Sequence, residues 1–199
     1  MKTIGITGGV GAGKSQVLQY VKDSFCAKII MADEVAHLVK EPGKVCYVQL
    51  CELLGNEILY QDGKIDKGLM AEKIFANKDL LSKVNDIIHP AVKNYIVEQI
   101  AIEKEKNEIE FLFIEAALLI ESGYVQIVDE LWYIYADRKV RQTRLQESRN
   151  YSIEKIEQIM AKQLSEEEYR RHCRVVIDNS GLITETYRQI EEVLGGCQS

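Results

Sequence analysis

The sequence predicts a three-layer α/β fold, a parallel sheet of about five strands covered by helices on both faces. Apolar segments of strand length, rich in Ile, Val, Phe or Tyr, recur along the 199 residues at Thr3–Thr7, Lys28–Met31, Phe111–Glu115, Leu131–Tyr135 and Arg174–Ile177. Helical stretches separate them, and continuous apolar strands joined by helices mark a sheet buried on both faces. The length suffices for one sizeable core and is short for two independent domains. Hydrophobic residues at 46% and charged residues at 28% match an ordinary soluble globular chain and exclude a mostly disordered, collagenous or fibrous one.

The first strand runs into Gly8-Gly9-Val10-Gly11-Ala12-Gly13-Lys14-Ser15. This segment matches Gly-x4-Gly-Lys-Ser/Thr without a mismatch and stands between a strand and a helix, where its chemistry requires it. Glycines let consecutive backbone N–H groups turn toward one anion, and the helix N-terminus adds its positive end. A polyphosphate suits such a nest. Lys14 is then placed to span the β- and γ-phosphates, and the Ser15 hydroxyl to join the shell of Mg²⁺. Val17, Leu18 and Val21 continue as the buried face of the helix. The motif narrows the fold class to a three-layer P-loop fold.

Between the second and third strands lie about eighty residues, Glu34 to Glu110, with helical periodicity and no convincing strand. Val45, Val48, Leu50, Leu53 and Leu54 predict one helix, Leu69–Phe75 a second and Leu80–Ile88 a third. His89-Pro90 predicts a break, because the residue before proline avoids helical dihedrals. Ala91–Ile102 then carries Val92, Tyr95, Ile96, Gln99 and Ile100 at spacings of three and four, a helical face. An all-helical insert is expected, bounded by topology rather than by a linker. The chain is thus expected as one domain: a core of about 1–33, 111–137 and 174–199, the insert at about 34–110, and a further helical region at about 138–173.

That last region is where the arginines gather. All eight lie after residue 137 and seven fall between Arg138 and Arg174. Guanidinium groups bind phosphates through forked donors and neutralise charge in phosphoryl transfer, so Arg138, Arg141, Arg144 and Arg149 read as a phosphate-facing lid. The plainer reading is a solvated face paired with Glu147, Glu154 and Glu157. Three carboxylates stand at strand ends, where Mg²⁺ and a substrate hydroxyl need oxygen acceptors. Asp33 follows the second strand, and its residue type equally suits the N-cap of a helix over Glu34–Val39. Glu115 closes Phe111-Leu112-Phe113-Ile114 in the manner of a Walker B acid, a role for which Asp137 also stands. Asn77-Lys78-Asp79-Leu80 lacks the final Asp of the guanine-reading motif and is discounted, as are His37, His89 and His172 as catalytic bases.

Composition removes other classes of function. Twenty-five Lys+Arg against 31 Asp+Glu give a net charge of −6, which disfavours nucleic acid held by bulk charge. The longest apolar runs fall well short of the roughly 20 residues of a membrane span. Met1–Ile6 shows no export signal. Five scattered cysteines, Cys26, Cys46, Cys51, Cys173 and Cys197, form no Cys-x-x-Cys pair, so reduced thiols in the cytoplasm and no zinc cluster are expected.

With these residues in view the chain resembles the dephospho-CoA kinase family almost end to end. Ile6–Ser15 is similar to that family's phosphate loop and Ala32-Asp33 to the end of its Asp-Ala-Asp motif. Asp62-Gly63-Lys64-Ile65-Asp66 and Ile88-His89-Pro90 resemble its substrate-domain signatures. Glu115-Ala116-Ala117-Leu118-Leu119-Ile120-Glu121 is similar to its acid-x-Pro-Leu-Leu-x-Glu segment, and Ile177-Asp178-Asn179-Ser180-Gly181 to the turn near the adenine. Departures are Met31 for the first acid of Asp-Ala-Asp, His37 and Lys67 where arginine is common, Ala117 for proline, and Gln16 for threonine.

The resemblance implies transfer of the ATP γ-phosphate to the ribose 3′-hydroxyl of dephospho-coenzyme A, the last step of coenzyme A synthesis. It implies ATP bound by Gly9, Gly11, Ala12, Gly13, Lys14, Ser15 and Gln16, with Asn179 near the adenine. Mg²⁺ would sit on Ser15 and Glu115, and Asp33 would serve the acceptor hydroxyl. Lys14 and Arg144 would act on the transferred group, with Arg149 closing over the phosphates and Arg141 in reserve. The insert would grip the coenzyme. Rival readings are a nucleoside or nucleoside monophosphate kinase on the same scaffold, a nucleotide-dependent switch, and a degenerate nucleotide-binding paralogue.

Overall fold

The computed structural model describes residues 1–75, 77–116, 119–121 and 123–195; Ala117, Leu118 and Cys197, named above, lie outside the described residues. In chain order the elements are β1 (Lys2–Thr7), α1 (Lys14–Ser24), β2 (Ala27–Met31), α2 (Ala32–Leu38), α3 (Val45–Leu54), α4 (Lys67–Phe75) and α5 (Lys78–Lys106). There follow β3 (Phe111–Glu115), β4 (Glu130–Tyr135), α6 (Arg138–Arg149), α7 (Ile153–Met160), α8 (Glu166–His172), β5 (Val175–Asp178) and α9 (Ile183–Gly195). Each strand falls within one residue of its expected bounds, because a run of apolar side chains can only be buried on both faces of a sheet.

The sheet order is β2-β3-β1-β4-β5, and β1 pairs in parallel with β3 on one side and β4 on the other, while β4 pairs in parallel with β5. The register sets Ile6 opposite Glu115, Thr7 opposite Tyr133 and Tyr135 opposite Asp178. The carboxyl ends of these four strands therefore share one edge, the place where open α/β sheets bind ligands.

The chain divides into two compact units, Met1–Ile29 with Asn107–Ser199, and Ile30–Lys106. In the first, Ile4, Ile6, Leu112, Phe113, Trp132 and Ile134 are fully buried. Phe113 meets Trp132 edge to face with centroids 5.5 Å apart, and Tyr133 stacks on Tyr169 at 4.7 Å, fastening α8 to β4. Val17, Leu18 and Val21 form the buried face of α1, which packs against α9.

In the second unit α2, α3 and α4 pack against α5. Here the expected break is corrected: α5 runs 29 residues without interruption and holds Pro90 in its interior. A proline inside a helix costs about 3 kcal/mol, since it lacks the N–H and crowds the carbonyl four residues back. Burial of Val84 before it and of Val92, Ile96 and Ile100 after it offsets that cost, at roughly 1.5–3 kcal/mol for each fully buried aliphatic side chain. Asn77 has a local role, its side-chain oxygen accepting from the N–H groups of Asp79 and Leu80 at 3.0 and 3.2 Å as α5 begins. In α3 the buried positions are Cys46, Leu50 and Leu54, while Val45 and Val48 face solvent. Leu59 and Ile65 form an isolated antiparallel bridge. Among the described residues no helix is long and apolar enough to cross a membrane.

Candidate active site

The loop after β1 turns at Gly8–Gly13 and leads into α1. Gly13 precedes the helix in the left-handed region at φ 88°, and a Cβ there would run into the Asn179 amide. A Cβ on Gly9 would meet the Arg141 guanidinium, which lies directly over this part of the loop. Lys14, the first residue of α1, turns its ammonium back to donate to Gly8 O at 2.8 Å and lies 3.7 Å from the Glu115 carboxylate at the end of β3. Burial pulls the Lys14 ammonium below its ordinary value; Glu115 opposes this, while the charges of Arg141 and Arg149 add to it. Ser15 and Gln16 follow, both exposed, in the first turn of α1.

Two arginines of α6 reach this loop. Arg141 donates from Nε to Val10 O at 2.8 Å and from Nη2 to Gln163 Oε1 at 2.6 Å, and the same Gln163 oxygen accepts from the Val10 N–H at 3.3 Å. Arg144 donates from Nη2 to Asn179 O at 2.8 Å and lies 3.5 Å from Ala12 O. Asn179 is buried; its Nδ2 donates to Ala12 O at 2.8 Å and its Oδ1 accepts from Thr186 Oγ1 at 3.0 Å. Arg149 is exposed, its guanidinium 6.0 Å from the Tyr151 ring centre. Arg138 pairs with Glu157, Arg170 with Glu166 and Arg171 with Glu167, so these three are solvated ion pairs. Among the described residues Arg141 and Arg144 form their bonds to neutral oxygens.

The two strand-end acids on this edge are placed differently. Glu115 is largely buried and faces Lys14. Asp137, exposed just before α6, accepts from the Tyr135 hydroxyl at 2.7 Å. Gln163 and Thr186 carry no sequence signal: a lone glutamine between two helices and a buried threonine of α9 acquire meaning only from their partners.

Asp33 belongs to the second unit. The N-cap of α2 is Met31 and makes no side-chain capping bond, so Asp33 is the second helical residue, exposed in the first turn. The same unit holds a cavity of about 380 Å³ whose lining includes His37, Lys40, Lys67, Met70, Ile74 and Val84. Burial draws His37 below its ordinary value, with Lys40 and Lys67 adding to the effect and Asp33 opposing it.

Comparison with known proteins agrees. The dephospho-CoA kinase family model (CoaE) matches residues 2–185. The dephospho-CoA kinase of Geobacter sulfurreducens is 34% identical over 193 residues, covering 97% of each chain, and that of Streptococcus agalactiae is 34% identical over 196 residues with the same coverage. Among solved structures, TT1252 from Thermus thermophilus superposes with a TM-score of 0.79 at 24% identity, covering 100% of this chain and 98% of that one. Dephospho-CoA kinase from Campylobacter jejuni gives 0.75 at 23%, covering 99% and 98%. Shikimate kinase from Acinetobacter baumannii gives 0.55 at 12%, covering 100% and 96%, a likeness of fold alone. A family model matching residues 2–185, with curated relatives 34% identical over 97% of each chain, establishes that this chain, with its phosphate loop braced by two arginines, belongs to the dephospho-CoA kinase family.

Proposed function

We propose that the protein transfers the γ-phosphate of ATP to the ribose 3′-hydroxyl of dephospho-coenzyme A, yielding coenzyme A and ADP. The observation that carries this reading, beside family membership, is the loop with Lys14, Arg141 and Arg144 gathered on it. Backbone N–H groups of Gly11 to Gln16 bind the phosphates at the start of α1. Lys14 leaves Gly8 O for the β- and γ-phosphates, and Arg144, with Arg141 beside it, neutralises charge on the transferred group. Arg149 closes over the phosphates, and the helices between residues 138 and 173 act as a lid that keeps water from the γ-phosphate. Asn179 braces the loop through Ala12. Asp33 accepts or orients the 3′-hydroxyl proton, and the helical unit holds the coenzyme.

Mg²⁺ fits this donor set. A hydroxyl in the first turn of α1 (Ser15) and a largely buried carboxylate 3.7 Å from Lys14 (Glu115) are the oxygens expected of a cation that keeps waters and phosphates as its other ligands. Bound there, it supplies charge neutralisation across the β- and γ-phosphates. Cys26, Cys46, Cys51 and Cys173 are free thiols, which supports a cytoplasmic setting.

An acceptor comparison tests the reading. ATP-dependent turnover is measured with dephospho-coenzyme A, nucleosides and nucleoside monophosphates. Dephospho-coenzyme A is expected to give the highest kcat/KM by at least about tenfold, the discrimination that buried polar contacts readily supply. Preference for a nucleoside or its monophosphate, or steady ATP hydrolysis indifferent to any acceptor, overturns it.

A further inference from the structure

Gln163 carries no charge, yet its side chain meets both the phosphate loop and an arginine of α6. It stands half-buried in the turn between α7 and α8. That turn is fixed on both sides. The N–H groups of Lys162 and Gln163 donate to Ile159 O and Met160 O at 3.2 Å each, closing the end of α7. Ser165 then opens α8 with a reciprocal capping box: its Oγ accepts from the Glu168 N–H at 3.2 Å, and its own N–H donates to the Glu168 carboxylate at 2.7 Å. Tyr169 of α8 stacks on Tyr133 of β4, and Glu157 of α7 accepts from Arg138 and Gln142 of α6. Gln163 therefore extends from a platform anchored to the sheet and to α6.

Its Oε1 accepts two hydrogen bonds, from the Val10 N–H at 3.3 Å and from Arg141 Nη2 at 2.6 Å. Arg141 closes the ring by donating from Nε to Val10 O at 2.8 Å. Both polar backbone groups of one loop residue are thus held, the N–H by the glutamine and the carbonyl by the arginine. With Nε and Nη2 each given a partner, the plane of the guanidinium is set, and with it the direction of its remaining N–H groups. That plane lies over the loop, where a Cβ on Gly9 would meet Nη1 and Nη2 alike. Chemistry narrows what can stand at position 163. Two N–H donors converge there, so an acceptor is required. A carboxylate would accept both bonds but would also cancel the positive charge that phosphoryl transfer draws on. A glutamine holds the arginine and leaves its charge intact.

We propose that Gln163 is a positioning residue for phosphoryl transfer, a neutral acceptor that aims the Arg141 guanidinium at the transferred phosphate. The assignment rests on the proposed reaction and adds to it the group that sets where Arg141 points. Gln163 acts on the phosphate only through Arg141.

The experiment measures kcat, KM for each substrate and the thermal midpoint in wild type, Gln163→Met, Gln163→Glu, Arg141→Met, and Arg141→Met combined with Gln163→Met. Gln163→Met keeps the length of the side chain and loses the acceptor. Its kcat/KM for ATP is expected to fall about tenfold, while KM for dephospho-coenzyme A stays within about twofold. In the Arg141→Met background the same change is expected to cost less than about twofold, because the group it positions is gone. Gln163→Glu keeps both bonds and the wild-type midpoint, and it too is expected to lose about tenfold, because its charge opposes that of Arg141. An equal loss from Gln163→Met in both backgrounds overturns the assignment, as does wild-type kcat/KM for ATP in either single Gln163 variant. The reaction is judged separately, by wild-type turnover with dephospho-coenzyme A. Absence of that turnover overturns the reaction alone; the cycle is then read in the dissociation constant for ATP, which needs no acceptor, with the same expected pattern and the same overturning results.

Discussion

A lysine that meets phosphate must keep its proton, and Lys14 sits where burial works against it. In the folded protein its ammonium titrates below the ordinary lysine value of 10.5, with Glu115 opposing the shift. The sign for stability follows. The unfolded chain holds this proton more tightly, so keeping Lys14 charged disfavours folding at neutral pH, and the penalty fades as pH rises from the folded to the unfolded value. For catalysis the direction is the reverse, because proton loss removes the charge that the phosphates need. We predict that kcat/KM for ATP declines on the alkaline side below pH 10.5. Bound phosphates raise the lysine again, so the decline in kcat lies at higher pH. Full pH–rate profiles check this; coincident limbs, or a kcat/KM limb above 10.5, contradict it. Arg141 extends the same logic. Held in reserve by the resemblance, it is the arginine in closest engagement with the loop, bonded to Val10 and Gln163, and spacing along α6 alone does not separate it from Arg138.

Elements were legible where one physical demand acts alone. Phe111–Glu115 has five buried residues in a row, and no other element of that length would bury them all. The glycines, Lys14 and Ser15 declare the loop for a similar reason, since close backbone approach to an anion admits few sequences. The continuity of α5 was hidden because two demands compete at Pro90. The local rule breaks the helix, and packing on α2, α3 and α4 keeps it. The bracing of the loop was hidden differently, since Gln163 acts by accepting from Val10, 153 positions away, and from Arg141, and Thr186 by donating to the buried Asn179 amide. The competition in α5 is measurable. Pro90→Ala restores a backbone donor and relieves the crowding, less the entropy that proline removes from the unfolded chain, so unfolding free energy should rise by about 1–2 kcal/mol. Denaturant titration reads it, and a loss of stability contradicts the account.

At the scale of the whole molecule the proposed reaction assigns its donor residues and its acceptor residue to different units. The unit built on the sheet carries the phosphate loop, Lys14, Glu115, Arg141 and Arg144, which we propose serve the donor. The helical unit carries Asp33, which we propose serves the acceptor, and the cationic cavity. The proposed division lets the fold class and the family be read from one set of residues while substrate selection is assigned to another. It also makes the two sets separable by measurement. The most direct test is Asp33→Asn, followed by steady-state transfer to dephospho-coenzyme A and by equilibrium titration with ATP. Transfer is predicted to fall by about 100-fold or more, the usual contribution of a general base, with the dissociation constant for ATP within about twofold of wild type. Retained transfer, or an equal loss of ATP affinity, contradicts the claim that Asp33 acts on the acceptor.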